Sequence, residues 1–213
     1  MYGIGITTKD RPELLKALVD SIHKHTDMSN VLLHIEDDSI ERLGVAKRKN
    51  NCLRALKDCD YVFLFDDDCH PIKDGWIEFF TNSKYNHLLY LNKSHRPSMK
   101  LTGGVGCNAI TYSDCGGVFM FLTKKCIEQI GAFDERFEFY GFEHANYSNR
   151  IWLNDLIVAP YIMLEGTEEY LYAHDYSTPN HKSSITDAEK KVHVRNNWDR
   201  FFKEPIKDIY IAL

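Results

Sequence analysis

The sequence predicts an α/β fold, a central and mostly parallel sheet flanked by helices, and three observations predict it. Strand-period and helix-period apolar patterns alternate as strand, helix, strand, helix, strand over residues 2–66. The loops between them are short, so the crossovers are expected to be right-handed and the strands parallel. YVFLF at 61–65 is an unbroken run of five apolar or aromatic residues, as a strand covered on both faces requires. At 213 residues and 44% hydrophobic, the chain suits one large domain, so a single domain over 1–213 is expected, itself open to being one part of a longer protein.

Residues 2–7 alternate small and β-branched side chains and form the first strand. KDRPELLKALVDSI follows as a helix, with Asp10 and Glu13 at capping-box spacing, Pro12 in the first turn, and Leu14, Leu15, Leu18 and Ile22 on one face. Residues 31–35 are the second strand, ending in Glu36, Asp37 and Asp38. GVAKRKNNCLRALKDC places Val45, Cys52, Leu53 and Leu56 at helical spacing and leads into the strand at 61–65. A short helix is expected within 74–86 and a strand at 88–91. Residues 92–108, with Gly103, Gly104 and Gly106, read as a loop too long for a mere connector. CGGVFMFL feeds a buried strand through Gly116 and Gly117, which let a ligand approach the backbone or else form a bulge. A helix at 124–130, a helix starting near Glu143, strands at 156–164 and 169–173, and a last helix opened by a Thr186–Glu189 capping box complete the chain.

Composition narrows the function. A net charge of -5 argues against a nucleic-acid partner, which calls for a basic stripe. Six scattered cysteines without a C-x-x-C pair or a signal peptide imply a reduced, cytoplasmic setting, and no apolar run reaches the roughly 20 residues of a transmembrane segment. Against this background the strand ends stand out. Asp66, Asp67 and Asp68 close a buried strand, and like charges so placed raise one another's pKa unless a cation sits among them. Alone, the triplet leaves open both a hard divalent metal and a solvated acidic turn. In a parallel sheet, however, Thr7, Asp38 and Asp68 converge on the carboxyl edge, where such folds bind ligands.

ITTKDRPELLKALVDSI, EDDS, GVAKRKN, FLFDDDCHPIKDGW, GGVFMFLTKK and GAFDERFEFYGFEHANYSNRIW resemble, in order, the successive motifs of GT-A-fold glycosyltransferases, family 2 above all; the match spans residues 3–152 and extends more weakly to His181. The resemblance implies a GT-A fold that moves a sugar from a UDP-sugar to a hydroxyl of a carbohydrate or glycoprotein acceptor, using Mn²⁺ or Mg²⁺. In that chemistry a metal held by carboxylates stabilises the charge of the leaving diphosphate. Asp66-x-Asp68 matches the family's D-x-D: Asp68 is implied as direct metal ligand, and Asp66 as reaching the ribose or the metal's water, while Asp67 receives no role. Asp37 or Asp38 is implied as acceptor for the uracil N3–H, with Thr7 and Arg11 in the same base pocket. Lys47 and Arg48, with Asn50 nearby, meet base or phosphates or else form a solvated basic face. His174 or His181 supplies a third, imidazole ligand, His174 being favoured because it directly follows a strand.

At the catalytic position the sequence departs from the family. Inverting members carry Glu-Asp after the glycine, with Asp as base, where this chain reads Gly141-Phe142-Glu143-His144. Three possibilities stand: His144 as base, Glu143 as base, or a retaining enzyme like those that transfer GalNAc to polypeptides, which keep the Glu and need no Asp. Asp134 and Arg150 are expected to be structural, and Phe139, Tyr140 and Trp152 to line the core or an acceptor wall. Two other functions remain: a nucleotide-sugar-binding module that has lost its base, and a nucleotidyltransferase. The latter lacks its glycine-rich basic signature in TTKDRP.

Overall fold

The structure, a computed structural model, describes residues 1–91, 101–104, 108–174, 185–206 and 208–213. Its centre is a five-stranded sheet formed by β1 (Tyr2–Thr8), β2 (Val31–Asp37), β3 (Tyr61–Asp66), β5 (His87–Leu89) and β8 (Phe119–Thr123), in the order β2-β1-β3-β8-β5. β1 pairs in parallel with β2 and β3, and β8 runs antiparallel to both β3 and β5, so four of the five strands point the same way. The sheet is therefore mostly parallel, as expected, with one reversed strand inserted. Helices α1 (Pro12–His25) and α2 (Val45–Leu56) make the two parallel crossovers.

Side-chain size explains how the layers meet. Ile4 and Ile6 of β1 are fully buried, and between them Gly5 leaves room for α2, because a Cβ there would sit 2.8 Å from Cys52 Cβ and from Leu64 Cδ2. On the other side of the sheet, Phe63 and Phe65 of β3 pack edge-on to Trp76 of α3 (Trp76–Thr81), at centroid distances of 4.9 and 5.6 Å. Phe119 and Phe121 of β8 close the same cluster. Such rings each contribute on the order of 1.5–3 kcal/mol by burial. β2, at the sheet edge, is only half-buried, which is why its run of apolar residues breaks into Leu32 and Ile35 exposed to solvent.

Two small sheets lie beside the main one. β4 (Cys69–Pro71) pairs with β10 (Leu171–Ala173), and β7 (Ala109–Tyr112) pairs with β6 (Leu101–Gly104) and β9 (Ile162–Leu164). Three sequence readings are corrected here. The loop expected over 92–108 contains strand β6, whose alternation its glycines conceal, and residues 92–100 and 105–107 lie outside the described part. Of the strand expected over 156–164 only Ile162–Leu164 forms, because Asp155 turns the chain with a φ of 55° and Pro160 cannot donate to a ladder. The Asp10–Glu13 capping box does not form: Arg11 takes the N-cap position of α1, and its side chain turns onto carboxylates instead. The helices α4 (Lys124–Ile130), α5 (Glu143–Leu153) and α6 (Asp187–Lys203) stand where expected, α6 with the reciprocal Thr186–Glu189 capping box. The five described cysteines, Cys52, Cys59, Cys69, Cys115 and Cys126, are buried free thiols. Among the described residues no helix is long and apolar enough to cross a membrane.

One buried histidine makes stability depend on pH. His87 is fully buried, with Nδ1 2.9 Å from Phe121 O and Nε2 2.8 Å from Ser148 Oγ. Burial pushes its pKa down to about 4, against the stabilising effect of the Phe121 carbonyl. Below pH 6.5 the unfolded chain therefore binds a proton that the native chain refuses, and stability falls as pH drops from 6.5 towards 4, by up to about 1.4 kcal/mol per pH unit. Urea unfolding at pH 7 and pH 4.5 is expected to show wild type losing about 2 kcal/mol more over that interval than His87→Phe. Equal losses in the two proteins would remove His87 as the source.

Candidate active site

The carboxyl ends of β1 and β3 are in register, Thr7 opposite Asp66, and Thr8 is also opposite Asp37 of β2. That register places polar groups against the acidic triplet. Thr7 Oγ1 donates to Asp66 Oδ1 at 2.9 Å, Thr8 Oγ1 to Asp67 Oδ2 at 2.6 Å, and the Asp67 amide to Thr7 O at 3.1 Å. Arg11 forks across the triplet, with Nε 3.2 Å from Asp67 Oδ2, Nη1 3.0 Å from Asp68 Oδ2, and Nη2 in contact with Asp67 Oδ1. Asp67, which the sequence left without a role, is thus a 1% exposed anchor that ties the triplet to β1 and Arg11. Burial pushes its pKa up to about 7 against the pull of Arg11 and Thr8. Asp66 is likewise raised by burial, opposed by Lys49, with Asp68 and Glu143 adding to the rise. Asp68 differs from its neighbours: its Oδ1 is buried and no donor among the described residues reaches it.

The cation that faces Asp66 is one position beyond the two named from sequence. Lys47 is exposed. Arg48 is buried in a cluster of acids, Nη1 2.9 Å from Glu36, Nε 2.9 Å from Asp38 and Nη2 2.8 Å from Glu41. Lys49 is fully buried, and its Nζ lies 3.0 Å from Gly117 O, 3.3 Å from Asp66 Oδ1 and 3.9 Å from Glu143 Oε1. Burial alone would lower its pKa, but Asp66 and Glu143 raise it, so the ammonium stays charged. The signal was present in the sequence, since Lys49 shares a helical face with Val45, Cys52, Leu53 and Leu56, where a cation needs a buried partner. Asn50 beside it points elsewhere, exchanging hydrogen bonds with the Phe133 backbone.

Of the two acids at the end of β2, Asp38 is consumed by its loop: it accepts from Leu43 N at 2.6 Å, Gly44 N at 3.0 Å and Arg48 Nε. Asp37 is exposed, with Oδ1 accepting from Ser39 N at 2.8 Å.

α5 brings Glu143 into the same site from the other side. His144 Nδ1 lies 3.0 Å from Glu143 Oε1, and its Nε2 lies 3.2 Å from Cys115 O. Both ring nitrogens thus face acceptors, an arrangement satisfied by the doubly protonated ring. Accordingly, although burial opposes it, the neighbouring carboxylate holds the His144 pKa well above its ordinary value. Glu143 is 4% exposed; burial would raise its pKa, but His144 and Lys49 bring it down to about 2. Its Oε2 is buried with no donor among the described residues. Gly117 makes this packing feasible, because a Cβ there would sit 2.7 Å from His144 Nδ1, whereas one on Gly116 would make only an ordinary 3.8 Å contact with Tyr90 O.

His174 follows β10 directly, and its amide donates to Asp68 O at 2.8 Å, so its backbone adjoins the triplet while its ring lies 6.0 Å from that of His70. His181 lies outside the described residues. Among the described residues no group of three or more His, Cys, Asp or Glu gathers as a metal cage. The donors present, two carboxylates of which one keeps a buried free oxygen, fit a hard cation that completes its shell with phosphate and water. Arg150 directs its guanidinium to the carbonyls of Ile130, Ala132 and Ile209, and Asp134 pairs with Arg136, so both are structural. Phe139 and Trp152 are exposed.

Comparison with known proteins decides the family. No family model matches the chain. An uncharacterized glycosyltransferase of Acanthamoeba polyphaga mimivirus is 33% identical over 174 residues, which cover 74% of this chain and 67% of that one. The chain belongs to the glycosyltransferases. Solved structures give this glycosyltransferase its fold, GT-A. Staphylococcus aureus TarS superposes with a TM-score of 0.58 at 14% identity, covering 96% of this chain and 44% of that one. The mannosyltransferase PcManGT of Pyrobaculum calidifontis, in complex with GDP-Man and Mn²⁺, also gives 0.58, at 10% identity, covering 78% of this chain and 55% of that one. The glycosyltransferase thus spans about half the length of these two solved chains.

Proposed function

We propose that this glycosyltransferase transfers the sugar of a UDP-sugar to a hydroxyl of a carbohydrate or glycoprotein acceptor, with Mn²⁺ or Mg²⁺ held by Asp66 and Asp68. The observation that carries the reading is the buried Asp68 Oδ1, without a donor among the described residues, at the end of the strand whose Asp66 shares the Lys49 ammonium with Glu143. A cation bound there would offset the charge that develops on the leaving diphosphate. The metal and nucleotide-sugar in the mannosyltransferase of like fold support the assignment.

The chain's own groups then divide the work. Asp68 would hold the cation through its free oxygen, Asp66 would reach the ribose or the cation's water, and Arg11 keeps the triplet in place. Thr7 and exposed Asp37 would meet the base, while Asp38 and Arg48 brace the loop after β2. His174, whose amide donates to Asp68 O, would add a third contact to the cation. Glu143, ionised at every physiological pH, takes the proton of the acceptor hydroxyl; His144, with both nitrogens engaged, orients Glu143 and is not itself the base. A carboxylate with a pKa of about 2 is a weak base, and this favours a second reading, in which Glu143 steadies positive charge on the sugar and configuration is retained. The anomeric configuration of the product separates the two.

Calorimetry with UDP and GDP, with and without Mn²⁺, tests the donor site. UDP is expected to bind only with Mn²⁺ and to lose at least about tenfold in affinity in Asp68→Asn. Equal binding with and without Mn²⁺ would sink the metal assignment, and tighter binding of GDP would overturn the base assignment.

A further inference from the structure

The loop that delivers Glu143 is held in an unfavourable backbone conformation. Phe139 and Phe142 have φ of 56° and 71°, and Gly141 has 94°, so three of the four residues before Glu143 that follow Glu138 lie in the left-handed region. Two of them are aromatic residues, for which that region costs on the order of 1–3 kcal/mol each, and such a turn persists only where surrounding contacts impose it. The cap residue of α5, Phe142, offers no side-chain hydrogen bond to help.

The contacts come from α6. Asn197 is the one buried residue of that helix, at 2% exposure, on the face shared with Val194 and Phe201. Its Nδ2 lies 3.2 Å from Glu138 O, 3.0 Å from Tyr140 O and 3.1 Å from Gly141 O. Three carbonyls share two amide hydrogens, and none can be satisfied by the amide oxygen. Arg200 settles which way the amide faces, because its Nη1 lies 3.3 Å from Asn197 Oδ1 and also donates to Arg136 O. Around this centre the His193 ring tilts against Phe139 and Phe201 stacks on Phe142, both at 5.0 Å. The loop also packs against Gly44 at the start of α2, where a Cβ would sit 2.7 Å from Phe139 N.

We propose that Asn197 is a positioning residue for Glu143: its amide, oriented by Arg200, holds the 138–142 loop in the left-handed turn from which α5 begins. The inference rests on the role given to Glu143 above. The hydrogen bonds of Asn197 go to the 138–141 backbone and to Arg200, and not to the triplet or the base-side residues, so its effect should fall on turnover and leave nucleotide affinity alone.

The test compares wild type with Asn197→Asp, which keeps the shape but sets a carboxylate against three carbonyls, Asn197→Ala, and the milder Arg200→Gln. Asp199→Asn, in the exposed Asp199–Lys203 ion pair, is the control. With UDP-hexoses supplied alone, kcat for hydrolysis is expected to fall about ten- to hundredfold in Asn197→Asp, less in Asn197→Ala and about twofold in Arg200→Gln, with KM and UDP affinity within about twofold of wild type. Amide hydrogen exchange is expected to accelerate at least about tenfold in residues 138–146 and nowhere else. Unchanged kcat, or UDP affinity that falls in parallel with it, would overturn the proposal. Should wild type hydrolyse no UDP-hexose, the function assigned to Glu143 fails, and exchange alone decides the hold on the loop: local acceleration supports it, and unchanged or uniformly faster exchange overturns it. If Asn197→Asp does not fold, Asn197→Ala and Arg200→Gln carry the same comparison.

Discussion

Lys49→Met is expected to lose about 3–5 kcal/mol of unfolding free energy at pH 7.5, the cost typical of breaking a buried ion pair by removing one partner. Methionine nearly fills the space of the lysine stem, so the loss is electrostatic and not a cavity. Lys49 Nζ serves Asp66, Glu143 and the Gly117 carbonyl at once, and without it the half-buried Asp66 and the buried Glu143 lose their common cation. The sign with pH follows. Glu143 has a depressed pKa of about 2 in the native protein, so its contribution is present above the unfolded value of 4.5 and is lost as pH falls through 2. In the variant both carboxylates take up protons at higher pH, which relieves the repulsion. The deficit against wild type should therefore shrink between pH 7.5 and pH 5. Urea unfolding at the two values checks it, and a deficit independent of pH would mean that Lys49 acts by packing alone.

Glu143→Gln is expected to lower turnover about 10²–10⁴-fold, the range for removal of a proton-transfer group, while Mn²⁺-dependent UDP affinity changes less than about twofold. The neutral amide keeps the shape of the side chain and can still accept from His144 and Lys49, so the site is expected to stay assembled. His144 loses the carboxylate that holds its pKa up, and its ring proton should become titratable near neutrality in the variant. NMR titration of the imidazole reports that shift, and product formation under saturating UDP-sugar reports turnover. A variant that retains more than about a tenth of wild-type turnover would exclude Glu143 as the group that handles the acceptor proton or the developing charge.

The contrast between Lys49 and its two neighbours shows where sequence reading stopped. Lys47, Arg48 and Lys49 are alike as residue types and adjacent in the chain, yet one is solvated, one is bound by three acids and one is at the centre of the site. Helical phase separates the third from the first. It does not say that Arg48 meets Glu36 and Asp38 or that Lys49 meets a carbonyl 68 residues away. The same limit applies to Arg11. The resemblance implied a place in the base pocket for it; what the sequence does not say is that the register of β1 with β3 puts Asp67 and Asp68 within its reach, where opposite charge holds its side chain. Nor does the sequence say that His144 has Glu143 at one ring nitrogen and the carbonyl of Cys115, 29 residues away, at the other.

By itself the sequence determined the alternation of elements, the burial of β3, the polar strand ends at Thr7, Asp38 and Asp68 on one edge and the start of α5 near Glu143, because each is written in local periodicity and residue type. Only the tertiary structure decided the reversed strand β8 beside β3, the tie of Asp67 to Thr8 and Arg11, the Lys49 bridge and the grip of Asn197 on the 138–142 loop. Periodicity states which face of an element is buried; which distant group compensates a buried charge or carbonyl depends on register and crossing, and these are settled when the layers pack.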